Sequence, residues 1–165
     1  MIDFTTAELL PGFVLPDGRL DFGGLLEDFA AFWQRYGEML DGETDYRAAA
    51  RVVVLARLHR VVRWGGLVDR EYAAGRGRLD LLVRKPYGRH QVQREAVELE
   101  VWQEARPDPL QDGLGRLDGY LEYLMLDTGA LIVFDQRPDA PPIADRTRFR
   151  TARTPTGRPV TVLRA

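Results

Sequence analysis

Residues 130–134, Ala-Leu-Ile-Val-Phe, are apolar without interruption and without alternation. A strand built from them has an apolar side chain on each face, so it predicts a central strand covered by helices on both sides. A layered α/β architecture is therefore the frame for the other segments.

The hydrophobic period changes along the chain in keeping with that frame. Leu25, Phe29, Phe32, Tyr36 and Met39 recur at steps of four and three, the stripe of an amphipathic helix. These aromatics read as core. After Asp41-Gly42, Thr44 or Asp45 can cap a second helix running to about Trp64, with Val52, Leu55, Leu58 and Val62 on one face and Gly65-Gly66 ending it. Val68–Tyr72, Arg78–Arg84 and Ala96–Trp102 then predict three antiparallel strands, joined by turns at Ala74-Gly75-Arg76-Gly77 and Pro86-Tyr87-Gly88. Helical spacing returns over Pro109–Leu126, with Leu114, Leu117, Leu121 and Leu124 on one stripe and Gly129 closing the turn. Arg148–Arg153 and Pro159–Leu163 flank Thr154-Pro155-Thr156-Gly157, which predicts a terminal hairpin, and the turn-rich residues 1–19 predict an irregular arm.

A chain of 165 residues, 45% of them apolar, can bury enough surface to fold as one domain. The expected division is an N-terminal arm and helix over 1–43, a core over 44–135 and a C-terminal hairpin extension over 136–165. No run approaches the length of uncharged apolar sequence that a membrane helix needs, and the start lacks a signal-peptide layout, so the expectation is a cytoplasmic protein with no membrane partner. Cysteine is absent, which excludes disulfides, thiolate metal sites and cysteine nucleophiles. His59, on the flank of a helix, reads as a hydrogen-bonded structural residue and His90, in a polar turn, as a solvated one. The net charge of −2 is not that of an obligate nucleic-acid binder, but the basic residues are arginines apart from Lys85 and cluster at 57–63, 70–94 and 146–158.

Alternation places Val97, Leu99 and Val101 on one face of the third strand and Glu98, Glu100 and Trp102 on the other. It likewise sets Leu79, Leu81 and Val83 against Asp80. Asp80, Glu98 and Glu100 would thus gather on one surface, where they repel unless a divalent cation binds or their pKa values rise. Oxygen ligands alone suit Mg²⁺ or Mn²⁺, and such an ion beside a phosphate is what metal-assisted phosphodiester hydrolysis requires. The same spacing also fits an ordinary solvated strand.

The run Glu71–Val83, followed by Glu98-Leu99-Glu100-Val101-Trp102, by Leu117-Asp118-Gly119-Tyr120-Leu121 and by Gly129–Asp135, resembles the PD-(D/E)XK nuclease-like domain found C-terminal to bacterial AAA-type ATPase modules. The resemblance extends from about Leu20 to the C-terminus. It implies a restriction-endonuclease-like core, helix, three antiparallel strands, helix and strand, in a mixed sheet flanked by helices. It also implies catalytic and metal-ligating roles for Asp80 and Glu98, with Glu100 in the position of the catalytic lysine and serving the metal as it does in some restriction endonucleases. Arg47 stands where an acid is expected on the second helix, and Arg116 where a later glutamine is expected, so the implied active site is degenerate. Positive charge missing at Glu100 would come from Lys85 or, better placed, Arg116. Arg76, Arg78, Arg116 and Tyr120 are the expected nucleic-acid contacts, to DNA or RNA. An ATPase module and a second copy of the chain are the implied protein partners. The alternative is a catalytically inactive module kept for protein contact, with Asp80 held by Arg47 or Arg116.

Overall fold

The computed structural model describes residues 12–40 and 45–165. The first part of the expected arm, the Asp41-Gly42 break, Thr44 as a cap and the side chain of Val62 lie outside the described residues. Helix α1 (Phe22–Tyr36) starts where the Asp21 carboxylate accepts the Gly24 N–H, and α2 (Tyr46–Leu58) starts where the Asp45 carboxylate accepts the Ala48 N–H. Short 3₁₀ segments, Gly37–Leu40 and His59–Trp64, finish both helices. The second replaces the last turns of the longer helix expected from the sequence. At its end Gly66 donates to the Val61 carbonyl, and a Cβ on Gly66 would collide with the Val61 side chain.

Six strands follow: β1 (Leu67–Ala74), β2 (Gly77–Tyr87), β3 (Gln91–Trp102), β4 (Gly129–Asp135), β5 (Arg148–Arg153) and β6 (Pro159–Arg164). They form one sheet in the order β1-β2-β3-β4-β6-β5. The pairs β1/β2, β2/β3 and β5/β6 are antiparallel, while β3/β4 and β4/β6 are parallel, giving a mixed sheet. The connection from β3 to β4 carries α3 (Leu110–Leu124), and a short α4 (Ile143–Arg146) precedes β5. The first three strands are longer than their apolar cores suggested because polar ends such as Gln91–Glu95 also join the ladder.

Two hydrophobic layers sandwich the sheet. On one face α1 and α2 bury Leu26, Phe29, Trp33, Tyr46 and Val54 against Leu81, Val97, Ile132 and Phe134. On the other, α3 buries Leu114, Leu117, Leu121 and Leu124 against Leu82, Ala96, Leu131 and Val133. The segment 130–134 is thus the covered central strand its composition requires, and the chain is a mixed α/β fold flanked by helices on both sides.

Several local expectations fail for identifiable reasons. The α1 stripe is centred on Trp33, leaving Phe32 half-buried and Tyr36 and Met39 exposed, because the helix yields to a 3₁₀ turn at Gly37. Val52 lies on the outer side of α2, opposite Ala50, Val54 and Leu58. Met125, in the left-handed conformation, ends α3, whereas Gly129 opens β4 where the Leu117 and Leu121 side chains press against its backbone. His59 is exposed at the end of α2.

Candidate functional site

Pairing between β2 and β3 runs from Tyr87↔Gln91 up to Leu81↔Val97 and stops there. In the β1/β2 ladder the next rung, Glu71 opposite Asp80, is missing between Arg70↔Leu81 and Tyr72↔Leu79, and Glu71 has a φ of 47°. Alternation breaks at this point. Leu79 packs with the α3 layer although Leu81 and Val83 pack with α1 and α2. Strict period-two reading had put all three on one face.

Asp80 occupies the place where the ladder ends. Its carboxylate accepts the Leu99 N–H at 2.9 Å, and its own N–H donates to the Glu98 carboxylate at 3.3 Å, so side chains continue the pairing that the backbones abandon. Glu98 and Glu100 follow on the face of β3 that looks toward α3, and a Cβ on Gly113 of α3 would meet the Glu100 side chain at 3.1 Å. The three carboxylates are 5%, 3% and 6% exposed for Asp80, Glu98 and Glu100. Buried acids at such spacing need counter-charge.

Both flanking helices supply it. Arg51 of α2 donates to Asp80 at 2.6 Å and reaches Glu71 at 3.3 Å. Arg47, one turn earlier, lies 3.6 Å from Asp80 and 3.8 Å from Glu100. From the opposite layer Arg116 of α3 pairs with Glu98 at 3.4 Å and with Glu100. Even so, burial first and the Asp80 charge second push Glu98 up to about 7, against the Asp80 N–H and Arg116, which favour its charged form. Burial and the charge of Glu98 raise Tyr120 in the same way.

The three expected acids are therefore brought together, and Arg116 reaches them. Lys85 does not, since its ammonium donates to the neighbouring Pro86 carbonyl. Arg76 and Arg78 are exposed on and beside the β1–β2 turn. Tyr120 is 8% exposed and its hydroxyl lies against Gly77, so it offers no ring to the surface. Arg51 was missed by the sequence reading. Its signal was its spacing of four from Arg47, which puts the two side chains on one helical face.

Among the described residues no group of three or more His, Asp or Glu is arranged to hold a metal ion. As placed, each of the three carboxylates is paired with a guanidinium group, which answers the charge that Mg²⁺ or Mn²⁺ would meet there.

No family model, curated protein or solved structure matches the chain. The site must be judged on its chemistry. It is an ion cluster whose acids are answered from two helices, with the Arg47 and Arg116 side chains 46% and 45% exposed at its rim.

A second charged network joins α3 to the terminal hairpin. Asp118 accepts from the Thr156 N–H and hydroxyl and from Arg158, and those bonds hold its carboxyl below the usual range although burial acts the other way. A third lies at the ends of β3, β4 and β6. Arg137 stacks on Trp102 with its guanidinium carbon 3.5 Å from the ring centroid and forks onto Asp135, while Arg164 pairs with Asp108.

Proposed function

We propose that this chain is a PD-(D/E)XK nuclease-like domain that binds nucleic acid without hydrolysing it. The observation that carries the reading is the answer given to Asp80, Glu98 and Glu100. Where hydrolysis requires a divalent ion on these oxygens, three guanidinium groups take its place. The order of helices and strands, with three antiparallel strands, a helix and a parallel strand, supports the nuclease-like ancestry.

Binding rests on the arginines. Arg76 and Arg78 stand exposed beside the cluster, and Arg47 and Arg116 present half of their side chains to solvent while their heads neutralise the acids. Arginine forks match phosphate oxygens, so a backbone passing over this rim meets donors in the right geometry. DNA and RNA share that chemistry.

The test is fluorescence anisotropy of labelled single-stranded and duplex DNA and RNA across a salt series, with a parallel cleavage assay in Mg²⁺ and in Mn²⁺. Binding that weakens linearly with the logarithm of salt concentration, and no cleavage, is the expected result. Cleavage that needs the metal and disappears in Asp80→Asn would replace this reading with a hydrolytic one. If no oligonucleotide binds, the fold instead serves protein contact, with an ATPase module as the partner to try first.

A further inference from the structure

The carboxyl ends of parallel strands leave a crevice in which open α/β sheets commonly bind ligands. Here β3, β4 and β6 end together at Trp102, Asp135 and Arg164, and a cavity of about 270 Å³ opens beside them. By strand alternation Trp102 shares a face with Glu98 and Glu100, so the cavity lies one step along β3 from the acid cluster, roughly 7 Å from Glu100.

Its charge is unlike that of the cluster. Five arginines line it (137, 146, 148, 150 and 164), against Asp108, Asp135 and Asp145. The five guanidinium groups outnumber the three carboxylates. Arg137 and Arg164 are fixed, each paired with an aspartate and set against the Trp102 ring. Arg148 and Arg150 are exposed at alternate positions of β5 and make no ion pair among the described residues. Arg146 donates to the Pro141 carbonyl, but its Nε–H is buried and has no acceptor among the described residues. A buried donor without a partner destabilises the fold, and an incoming acceptor would relieve that cost.

We infer that this cavity is a binding site for a phosphate monoester, the terminal phosphate of a nucleic-acid strand. The inference rests on the nucleic-acid reading above for its source of phosphate, though not for its chemistry. Guanidinium groups converge from the α4 end, from β5 and from β6. A planar carboxylate offers two oxygens in one plane, whereas a tetrahedral phosphate offers oxygens to donors arriving from several directions. The volume falls just short of the usual range for a whole drug-sized ligand, about 300–1,000 Å³. It suits one phosphate with the sugar at its mouth.

The experiment compares oligothymidylate carrying a 5′-phosphate, a 3′-phosphate or hydroxyl ends, bound to the full chain and to Arg148→Ala/Arg150→Ala. Arg89→Ala, exposed in the β2–β3 turn, is the control. A phosphorylated end should tighten binding about tenfold, and the double variant should lose that difference while the control keeps it. Equal affinity for phosphorylated and hydroxyl ends in the unaltered chain overturns the assignment while leaving nucleic-acid binding intact. A thermal shift with thymidine monophosphate separates the two readings from the other side. Stabilisation that the double variant lacks supports the cavity even if no oligonucleotide binds, and absence of stabilisation in the unaltered chain counts against the cavity alone.

Discussion

The acid cluster and the arginine cavity share a face of one sheet and neighbouring positions on β3, yet they balance charge in opposite ways. In the cluster the acids come from strands and the cations from helices on both layers, so Asp80 and Glu98 stay buried with their counter-charges brought to them. In the cavity the cations outnumber the acids, and those without partners sit on the exposed edge strand β5. The difference teaches where each set of charges finds relief. The three acids of the cluster each have an ion-pair partner within the fold, whereas the cavity retains on β5 two guanidinium groups that pair with no carboxylate among the described residues.

The contrast breaks most easily at Arg51. Removing one partner of a buried pair leaves the other charge stranded, and Arg51→Ala should lower unfolding stability by about 3 kcal/mol in urea titrations at pH 7. Arg47 is more exposed and farther from Asp80, so Arg47→Ala should lose clearly less. A loss for Arg51→Ala no greater than that for Arg47→Ala would mean that Asp80 does not depend on an internal counter-charge.

The second effect is a pH dependence. Glu98 binds its proton more tightly in the folded chain, at about 7, than at its ordinary value of 4.5. Its stabilisation is therefore complete below about pH 4.5 and lost as pH rises through about 7, up to about 3 kcal/mol in all. Glu98→Gln should flatten the stability profile between about pH 4 and 7.5 by that amount. An unchanged slope in the variant would place the titration elsewhere.

Asp118 offers a smaller effect and the opposite sign. Its lowered carboxyl stabilises the fold above its unfolded pKa, and that contribution is lost as pH falls through the folded value. Asp118→Asn should cost about 1–2 kcal/mol, with the Thr156 amide exchanging faster with solvent. Protection unchanged at Thr156 would show that the hairpin turn holds itself.

Much of this layering is legible in sequence because burial sets the period. The stripe of Leu114, Leu117, Leu121 and Leu124 and the unbroken 130–134 run leave few alternatives, and alternation on β3 correctly separates Val97 and Leu99 from Glu98 and Glu100. Period fails where the ladder is interrupted. Nothing in Leu79-Asp80-Leu81 announces that Glu71 takes a positive φ or that β2 leaves β3 there, so Leu79 was assigned to the wrong layer. Partners from distant segments were equally hidden. Arg51 and Asp80 are 29 residues apart, and Asp118 and Arg158 are 40 apart; only the packed fold brings them into contact. The cavity escaped notice because its arginines look, in sequence, like the rest of a basic tail.

The smallest expected effect sharpens the comparison most. Arg148→Ala and Arg150→Ala should each change unfolding stability by no more than about 0.5 kcal/mol, because neither guanidinium holds another part of the fold. Both lie on an edge strand, where charge also discourages pairing with a second chain. Urea titrations of the two variants should therefore be run beside sedimentation measurements. Unchanged stability and an unchanged sedimentation coefficient mean that these cations are not engaged within the fold and stay free for an anion. A loss comparable to that of Arg51→Ala would mean that they are already partnered within the fold, and the cavity would then resemble the cluster it is contrasted with.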